Sequence, residues 1–393
     1  MKCQVCDNEK LERIISLGYM PPVNWMVPVD HEPHGSVWMP TDLMCCPRCE
    51  LVQLGFIPGQ EWTFPPHYPY TSGSTRLLVD NFAQQADEAI KLLDLQPGDL
   101  VIDIGSNDGT LLSKYKERGM KVIGIEPTDV ADVAIKKGIP TLKRFFNKIT
   151  ASRIMQKASL ITCCNCFAHM PEPNEIVESI KMLLKPGGTF LSESHYLMGL
   201  LDSCQYDTIY HEHLRYYSVT SLQNLFDRHG FLIDAVKKIP THGGSIRVYA
   251  SMKSGLNASE VYDFTESEKC AIDEGHAYYI FKEQVLRSRR DLVFTVQQLK
   301  GLGRVVGVGA PSRASVVINY CRLDIDQIDY VVERTGSLKI GRYMPGTRIP
   351  VVDEQRLIDE QPEAAIVFSW HIFDEIEKNL RAKGYKGELV KPI

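Results

Sequence analysis

Apolar and polar positions change period several times along this chain, and each change marks an element. LVIDIG (100–105) is a short apolar run, TLLSKYKER (110–118) has the three- and four-residue spacing of an amphipathic helix, and KVIGIE (121–126) is apolar again. ASLITC (158–163) and TFLSES (189–194, after the Lys185-Pro-Gly-Gly turn) continue the strand series. Strands alternating with helices predict a parallel sheet with helical crossovers, an α/β fold. FLIDAVKKI (231–239) and SIRVYASMK (245–253), split by His242-Gly-Gly, predict a terminal antiparallel hairpin. Residues 257–300 lose strand character and carry apolar residues at helical spacing, which predicts one or two linking helices. A second α/β unit follows, with strands at 304–310, 329–333 and 364–370 and a helix at 312–321. The first 60 residues or so differ. They are rich in Pro, Gly and isolated aromatics, and so small a segment builds a core poorly.

Composition changes this picture in two places. Forty-four basic against 49 acidic residues give a net charge of −5, without the basic excess of a general nucleic-acid binder. No apolar run approaches the ~20 residues of a membrane span, and MKCQVCDNEK lacks the pattern of a signal peptide. A cytoplasmic chain with reduced cysteines is therefore expected.

Five of the eleven cysteines lie in the first 49 residues, including the C-x-x-C pairs Cys3/Cys6 and Cys46/Cys49. Two such knuckles supply four thiolates for tetrahedral Zn²⁺, with no open position for catalysis; the plain alternative is two chance pairs of buried thiols. Cys45 has the wrong spacing to join them.

Asp103-Ile-Gly105-Ser106-Asn107-Asp-Gly109 follows a strand and opens a helix, where backbone N–H groups collect polar ligand atoms. It is not G-x-G-x-x-G. Asp103 repels phosphate and suits a cationic ligand, and Glu126, at the end of the next strand, can take both ribose hydroxyls. The combination fits S-adenosylmethionine better than a dinucleotide with an altered loop.

The densest chemistry is Asp207-Thr-Ile-Tyr210-His211-Glu212-His213-Leu-Arg-Tyr216-Tyr217, a candidate general-base site with polar orienters. The alternatives are a surface cluster or a second metal site, but the two histidines are not at the spacing of H-E-x-x-H. Tyr68-Pro-Tyr70-Thr-Ser72-Gly-Ser74 is placed for a lid or a substrate contact, or merely packs. Thr241-His242-Gly243-Gly244-Ser245-Ile-Arg247 offers close approach with one His and one Arg, or is only a hairpin turn. Gly307-x-Gly309-Ala-Pro311-Ser312-Arg313, with Glu333-Arg334, Lys339 and Arg342 beyond, suits a phosphate, or is a ligand-free scaffold.

Together these motifs resemble the S-adenosylmethionine-dependent sugar C-methyltransferases of deoxysugar biosynthesis. The resemblance spans nearly the whole chain. It rests on the cysteine pairs, Tyr68-Pro-Tyr70, 103–109, Glu126-Pro127, 207–213, 242–247, Gly309-Ala-Pro311 and Asn319-Tyr-Cys321, with Tyr210-His-Glu-His213 the most specific. It implies a zinc-binding domain at 1–62, a class I methyltransferase Rossmann-like core at 63–256, linking helices at 257–300 and a nucleotide-sugar-binding α/β domain at 301–393. It implies methyl transfer to a carbon, typically C3, beside the keto group of a nucleotide-linked deoxysugar. The implied base is His213, with Glu212 and Tyr210 orienting it and Tyr68 or Tyr70 closing the other side. Asp103, Gly105, Ser106, Asn107, Gly109, Glu126 and Asn165 would hold the cofactor. His211, His242, Gly243, Gly244, Ser245, Arg247, Ser312, Arg313, Asn319, Glu333, Arg334, Lys339 and Arg342 would hold the substrate. A monomer is expected, without nucleic-acid or membrane partners. Where the family commonly has Asn-Asn this chain has Cys164-Asn165, and Arg313, Ala314 and Val316 replace a lysine, a glycine and a threonine. O-methylation and a noncatalytic zinc-bearing binding module are the competing functions.

Overall fold

The computed structural model describes residues 1–32, 37–63, 71–74, 76–252, 258–272 and 275–393. The chain opens with three antiparallel strands, β1 (Glu12–Met20), β2 (Met39–Cys45) and β3 (Val52–Leu54). The apolar pattern does not announce β1, because register shifts between Arg13 and Ile15 and between Ser16 and Tyr19 break the alternation of its faces.

Five strands of a second sheet follow: β4 (Leu100–Ile104), β5 (Lys121–Ile125), β6 (Thr141–Leu142), β7 (Ala158–Cys164) and β8 (Leu184–His195). The chain then departs from this sheet. β9 (Arg215–Tyr216) pairs with β3, Val52 opposite Tyr216, and so joins the amino-terminal sheet. β10 (Leu232–Ile239) and β11 (Ser245–Ser251) return as a hairpin and complete the order β10-β11-β8-β7-β4-β5-β6. β4 to β8 pair in parallel, and β11 runs against both neighbours. This is the parallel sheet with helical crossovers that the alternation of elements predicts, and the Rossmann-like core that the resemblance implies. All five residues of β4 are buried, as a central parallel strand with covered faces requires.

Helices Ala258–Ile272 and His276–Leu302 lead to a third, all-parallel sheet of order β14-β13-β12-β15-β16. Its strands are β12 (Val305–Val308), β13 (Val331–Glu333), β14 (Val351–Asp353), β15 (Ala364–Val367) and β16 (Glu388–Val390). The first linking helix is pinned to the core by one buried carboxylate. Glu268 accepts from Tyr196 Oη, from the amides of Val219 and Thr220 and from Thr220 Oγ1, at 2.6–2.9 Å. One buried cluster includes Leu51, Phe167, Leu299 and Val331, so the amino-terminal segment shares its core with the other two sheets.

Candidate active site and metal centre

Cys3, Cys6, Cys46 and Cys49 are buried, and their sulfurs all lie within 4.8 Å of one another. Cys3 Sγ is 3.4 Å from Cys49 Sγ, and Cys6 Sγ is 3.5 Å from Cys46 Sγ. Four thiolates at ~2.3 Å from Zn²⁺ stand roughly 3.8 Å apart, so the cluster fits the ion. The Cys49 thiol, and then the amides of Cys6 and Val5, stabilise Cys3 as the thiolate, down to about 5. Cys45 stays outside the cluster, with its thiol 3.8 Å from Tyr278 Oη.

The glycine loop leaves β4 under the end of β5. Gly105 has φ +75°, and a Cβ there would stand 2.5 Å from Cys166 Sγ, so only glycine lets the two loops close. Asn107 is left-handed at φ +49°, and its amide donates to Glu126 Oε2 at 3.1 Å. Glu126 Oε1 takes the Thr128 amide (3.0 Å) and hydroxyl (2.7 Å). Three of the roughly four acceptor sites are thus used, and the carboxylate, fixed in place, keeps capacity for a ribose hydroxyl. Gly109 heads the helix Thr110–Glu117. Ser106 is buried with no partner for its hydroxyl. The Ser72 amide donates to Asn107 Oδ1 (2.8 Å) and the Gly73 amide to Asp108 Oδ2 (3.2 Å), fastening the end of the tyrosine motif to this loop. Tyr68 and Tyr70 lie outside the described residues. Asn165 sits beside the loop at φ +53°, with its amide on the Glu193 carbonyl at 2.7 Å. Asp103 faces inward rather than outward. It is 3% exposed, bonded to Thr162 Oγ1 at 2.6 Å, and burial pushes its carboxyl up to about 7.

Residues 205–217 cross from the seven-stranded sheet to β9 and are held at both ends. His213 Nδ1 is 2.7 Å from the Thr208 carbonyl, an acceptor, so Nδ1 carries the proton and Nε2 keeps its lone pair. The ring lies against Tyr210 (centroids 4.1 Å) and His169 (4.8 Å). Loss of water, and then the Arg313 charge, outweigh the Thr208 carbonyl and press its pKa down to about 4. Burial, and then Glu212, raise Tyr210, which remains a phenol. Glu212 Oε1 accepts from Asn24 Nδ2 at 2.5 Å. His211 turns the other way. It is 1% exposed and donates through Nε2 toward the Pro40 carbonyl (3.2 Å) and Thr41 Oγ1 (3.3 Å), so it props the amino-terminal sheet instead of meeting substrate.

The carboxy-terminal unit reaches this stretch through Arg313. Its Nη2 donates to Gln205 Oε1 (2.5 Å), its Nε is 3.7 Å from Asp207 Oδ2, and it lies over the Trp370 ring at 5.6 Å. Trp370 Nε1 donates to the same Asp207 oxygen at 2.7 Å, and His371 Nδ1 is 3.3 Å from Arg313 Nη1. Gln205 Nε2 also donates to the Gly243 carbonyl at 2.7 Å, drawing in the turn that carries His242. At Gly243, φ +86°, a Cβ would lie 2.5 Å from Gln205 Oε1. The Gly244 carbonyl accepts from the Tyr196 amide (3.1 Å), and the Ser245 hydroxyl donates to Thr241 O (3.0 Å). Burial, and then the charge of Arg313, lower His195 to about 3, so His195, His213 and His242 share the surroundings of one cation.

The other expected substrate contacts divide. Ser312 touches Asn24 at 3.3 Å. Glu333 accepts from the amides of Ala310 (3.0 Å) and Arg334 (3.1 Å), and Lys339 donates to the Ala310 carbonyl (2.6 Å), so these border the second glycine turn. Arg334 is exposed. Arg342 is drawn away to the Met26 (3.0 Å) and Leu338 (3.3 Å) carbonyls, and Asn319 to those of Ser315 (2.7 Å) and Pro345 (3.0 Å). Arg247 is 0% exposed and wholly engaged inside the core with Glu193, Glu88 and Asn81.

Three family models match successive segments: a zinc binding domain over residues 3–64, a methyltransferase domain over 77–236, and a C-methyltransferase C-terminal domain over 240–393. C-methyltransferase NovU of Streptomyces niveus is 29% identical, over 100% of this chain and 95% of its own. The chain belongs to the S-adenosylmethionine-dependent C-methyltransferase family. A ubiquinone biosynthesis O-methyltransferase of Actinobacillus pleuropneumoniae serotype 7 is 34% identical over only 23% of this chain and 43% of its own. A solved structure of the glycopeptide N-methyltransferase MtfA with sinefungin aligns at TM-score 0.35 and 13% identity, over 44% of this chain and 87% of that one.

This C-methyltransferase takes its methyl group from S-adenosylmethionine and holds zinc on its four amino-terminal cysteines. Sequence reasoning missed His169, His195, Gln205, Trp370 and His371 as neighbours of the site. His169, Trp370 and His371 follow the carboxyl ends of β7 and β15, where open α/β sheets bind ligands, so that signal was present. Asn24 had no local signal at all. Among the described residues no helix is long and apolar enough to cross a membrane.

Proposed function

We propose that this C-methyltransferase methylates C3 of a nucleotide-linked 4-keto-deoxysugar through a base-generated enolate. The observation that carries the reading is the tautomer of His213. With Nδ1–H committed to Thr208 O, Nε2 is the open base, beside the Tyr210 phenol. Carbon is a nucleophile only after it loses a proton, so C-methylation next to a ketone needs such a base.

His213 is neutral at working pH and accepts the C3 proton directly; negative charge building on the enolate raises its affinity for that proton during the step. The Tyr210 hydroxyl donates to the enolate oxygen, and Glu212 holds that side of the site. S-adenosylmethionine would supply an electrophilic methyl group, and the Gly105–Gly109 loop and Glu126 are the residues that would hold it. The C–C bond formed at the enolate carbon would be matched by loss of that methyl group from sulfur, and His213 later gives the C3 proton to water. Arg313, with Ser312, Lys339, Glu333 and Arg334 around the second glycine turn, takes the nucleotide, and His242 faces the sugar side. The same reading places the enzyme in the cytoplasm as a monomer.

The test is hydrogen exchange in D₂O without cofactor, using UDP- and TDP-linked 4-keto-6-deoxyhexoses. Deuterium should enter beside the ketone, and His213→Ala should slow this by about 10²–10⁴-fold. Absence of exchange with a sugar that is then methylated on oxygen would refute the enolate. Failure to bind S-adenosylhomocysteine in calorimetry would point to a noncatalytic module.

A further inference from the structure

Asn24 belongs to none of the motifs, yet it stands where all three sheets' territories meet. It lies in the Pro21-Pro22-Val23-Asn24 turn after β1, whose Val23 carbonyl is 3.4 Å from the Ser315 hydroxyl. That turn is wedged between the helix Ser312–Cys321 and the 205–217 crossing segment. The carboxamide is used at both ends. Nδ2 donates to Glu212 Oε1 at 2.5 Å, and Oδ1 is 3.3 Å from the Ser312 hydroxyl, which donates to it. The amide gives to a carboxylate and takes from a hydroxyl at once; aspartate in its place would face Glu212 with a second negative charge.

We infer that Asn24 is a positioning residue for the methyl-transfer site, through which the zinc-bearing domain fixes the Glu212 carboxylate against the nucleotide-binding unit. The inference rests on the role given to Glu212 above. It also assigns the zinc a task beyond local folding. The metal ties Cys3 and Cys6, before β1, to Cys46 and Cys49, after β2, and so sets the sheet from which the Asn24 turn projects. Among the described residues, the titratable groups that feel Glu212 include Tyr210, on its own segment, and Lys339, from the carboxy-terminal unit. His213 is its neighbour in sequence.

Methyl transfer from S-adenosylmethionine to whichever UDP- or TDP-linked 4-keto-6-deoxyhexose proves active is followed against pH, in the zinc-loaded full chain. A hydrogen bond from an amide to a carboxylate favours its charged form, so Asn24→Ala should lower kcat roughly 10–100-fold with KM little changed. It should also move the acidic limb of the kcat profile up by about one pH unit. Asn24→Asp should move that limb further. Zinc content and melting temperature are measured alongside. A double-mutant cycle with Glu212→Gln covers the case of a partly misfolded variant, because Asn24→Ala should add little in that background. Unchanged kcat and pH profile in Asn24→Ala, or equal losses in both backgrounds, would overturn the inference. Wild-type kinetics in Glu212→Gln alone would overturn the role of Glu212 and this inference with it.

Discussion

Replacing Arg247 by methionine separates a substrate contact from a structural one. The sequence motif at 242–247 points toward substrate, but the structure seats Arg247 in the middle of the sheet. Its Nε and Nη2 donate to Glu193 Oε2 at 3.1 and 3.0 Å, Nη2 also to Asn81 Oδ1 at 3.0 Å, and Nη1 to Glu88 Oε2 at 2.7 Å. Arg247 and Glu193 are both 0% exposed, whereas Glu88, at 30%, is partly screened by water. Burial raises the Glu193 carboxyl against the pull of Arg247, so the carboxylate depends on its partner. Methionine fills much of the volume but leaves Glu193 with one donor, Asn81 Nδ2 at 2.9 Å. Breaking a buried pair from one side costs about 3–5 kcal/mol. For a unit of this size that lowers the melting temperature by roughly 6–20 °C. Arg247→Met/Glu193→Gln should recover part of the loss, because no charge is then buried alone. Calorimetric melting of the four proteins in the cycle gives the coupling. An Arg247→Met protein that melts like wild type while its KM for the proposed nucleotide-sugar substrate rises would refute the structural reading and restore the substrate contact.

Other outcomes follow from the same geometry. Native His213 titrates near about 4 and the unfolded residue near about 6.5, so between these values the unfolded chain binds more protons. Stability should be full above that window and fall as pH drops through it, by up to about 3 kcal/mol from this group, and His213→Gln should flatten the slope seen in denaturant titrations at pH 4–7. Gly105→Ala strains a positive φ and drives a methyl group into Cys166; cofactor affinity by calorimetry should fall more than about 100-fold while zinc content holds, and near-normal binding would contradict the loop contact. Stripping zinc with a chelator should lower methyl transfer as well as melting temperature, since β9 ties the metal-bearing sheet to the His213 segment; full activity in the zinc-free chain would argue against that tie.

Legibility followed the range of the interaction. The strands around β4 and β7 and the helix after Gly109 were readable because continuous burial and helical spacing are local properties. β1 was not, since its bulges scramble the alternation, and β14 and β16, at three residues each, are too short to show a period. Within Tyr210-His-Glu-His213 the residue types were plain, but their directions were not. His211 and His213 are two apart, and only the path of the segment between two sheets sends one into the amino-terminal sheet and the other toward His169 and Tyr210.

The sequence by itself determined the chemistry that lives in short spacings: four cysteines in two knuckles, a glycine turn between a strand and a helix with a carboxylate one strand on, and a histidine-rich stretch fit for base catalysis. Backbone conformation and ligand-atom type are set by neighbours along the chain, so they can be read there. The tertiary structure decided which charges are free to work. It enclosed Arg247 and Asp103, drew Arg342 and Asn319 onto backbone carbonyls, and brought Asn24, Gln205 and Trp370 to residues more than 100 positions away. Whether a charged or polar group serves substrate or structure depends on the partners and the water around it, and those are supplied by packing between segments that the linear order keeps apart.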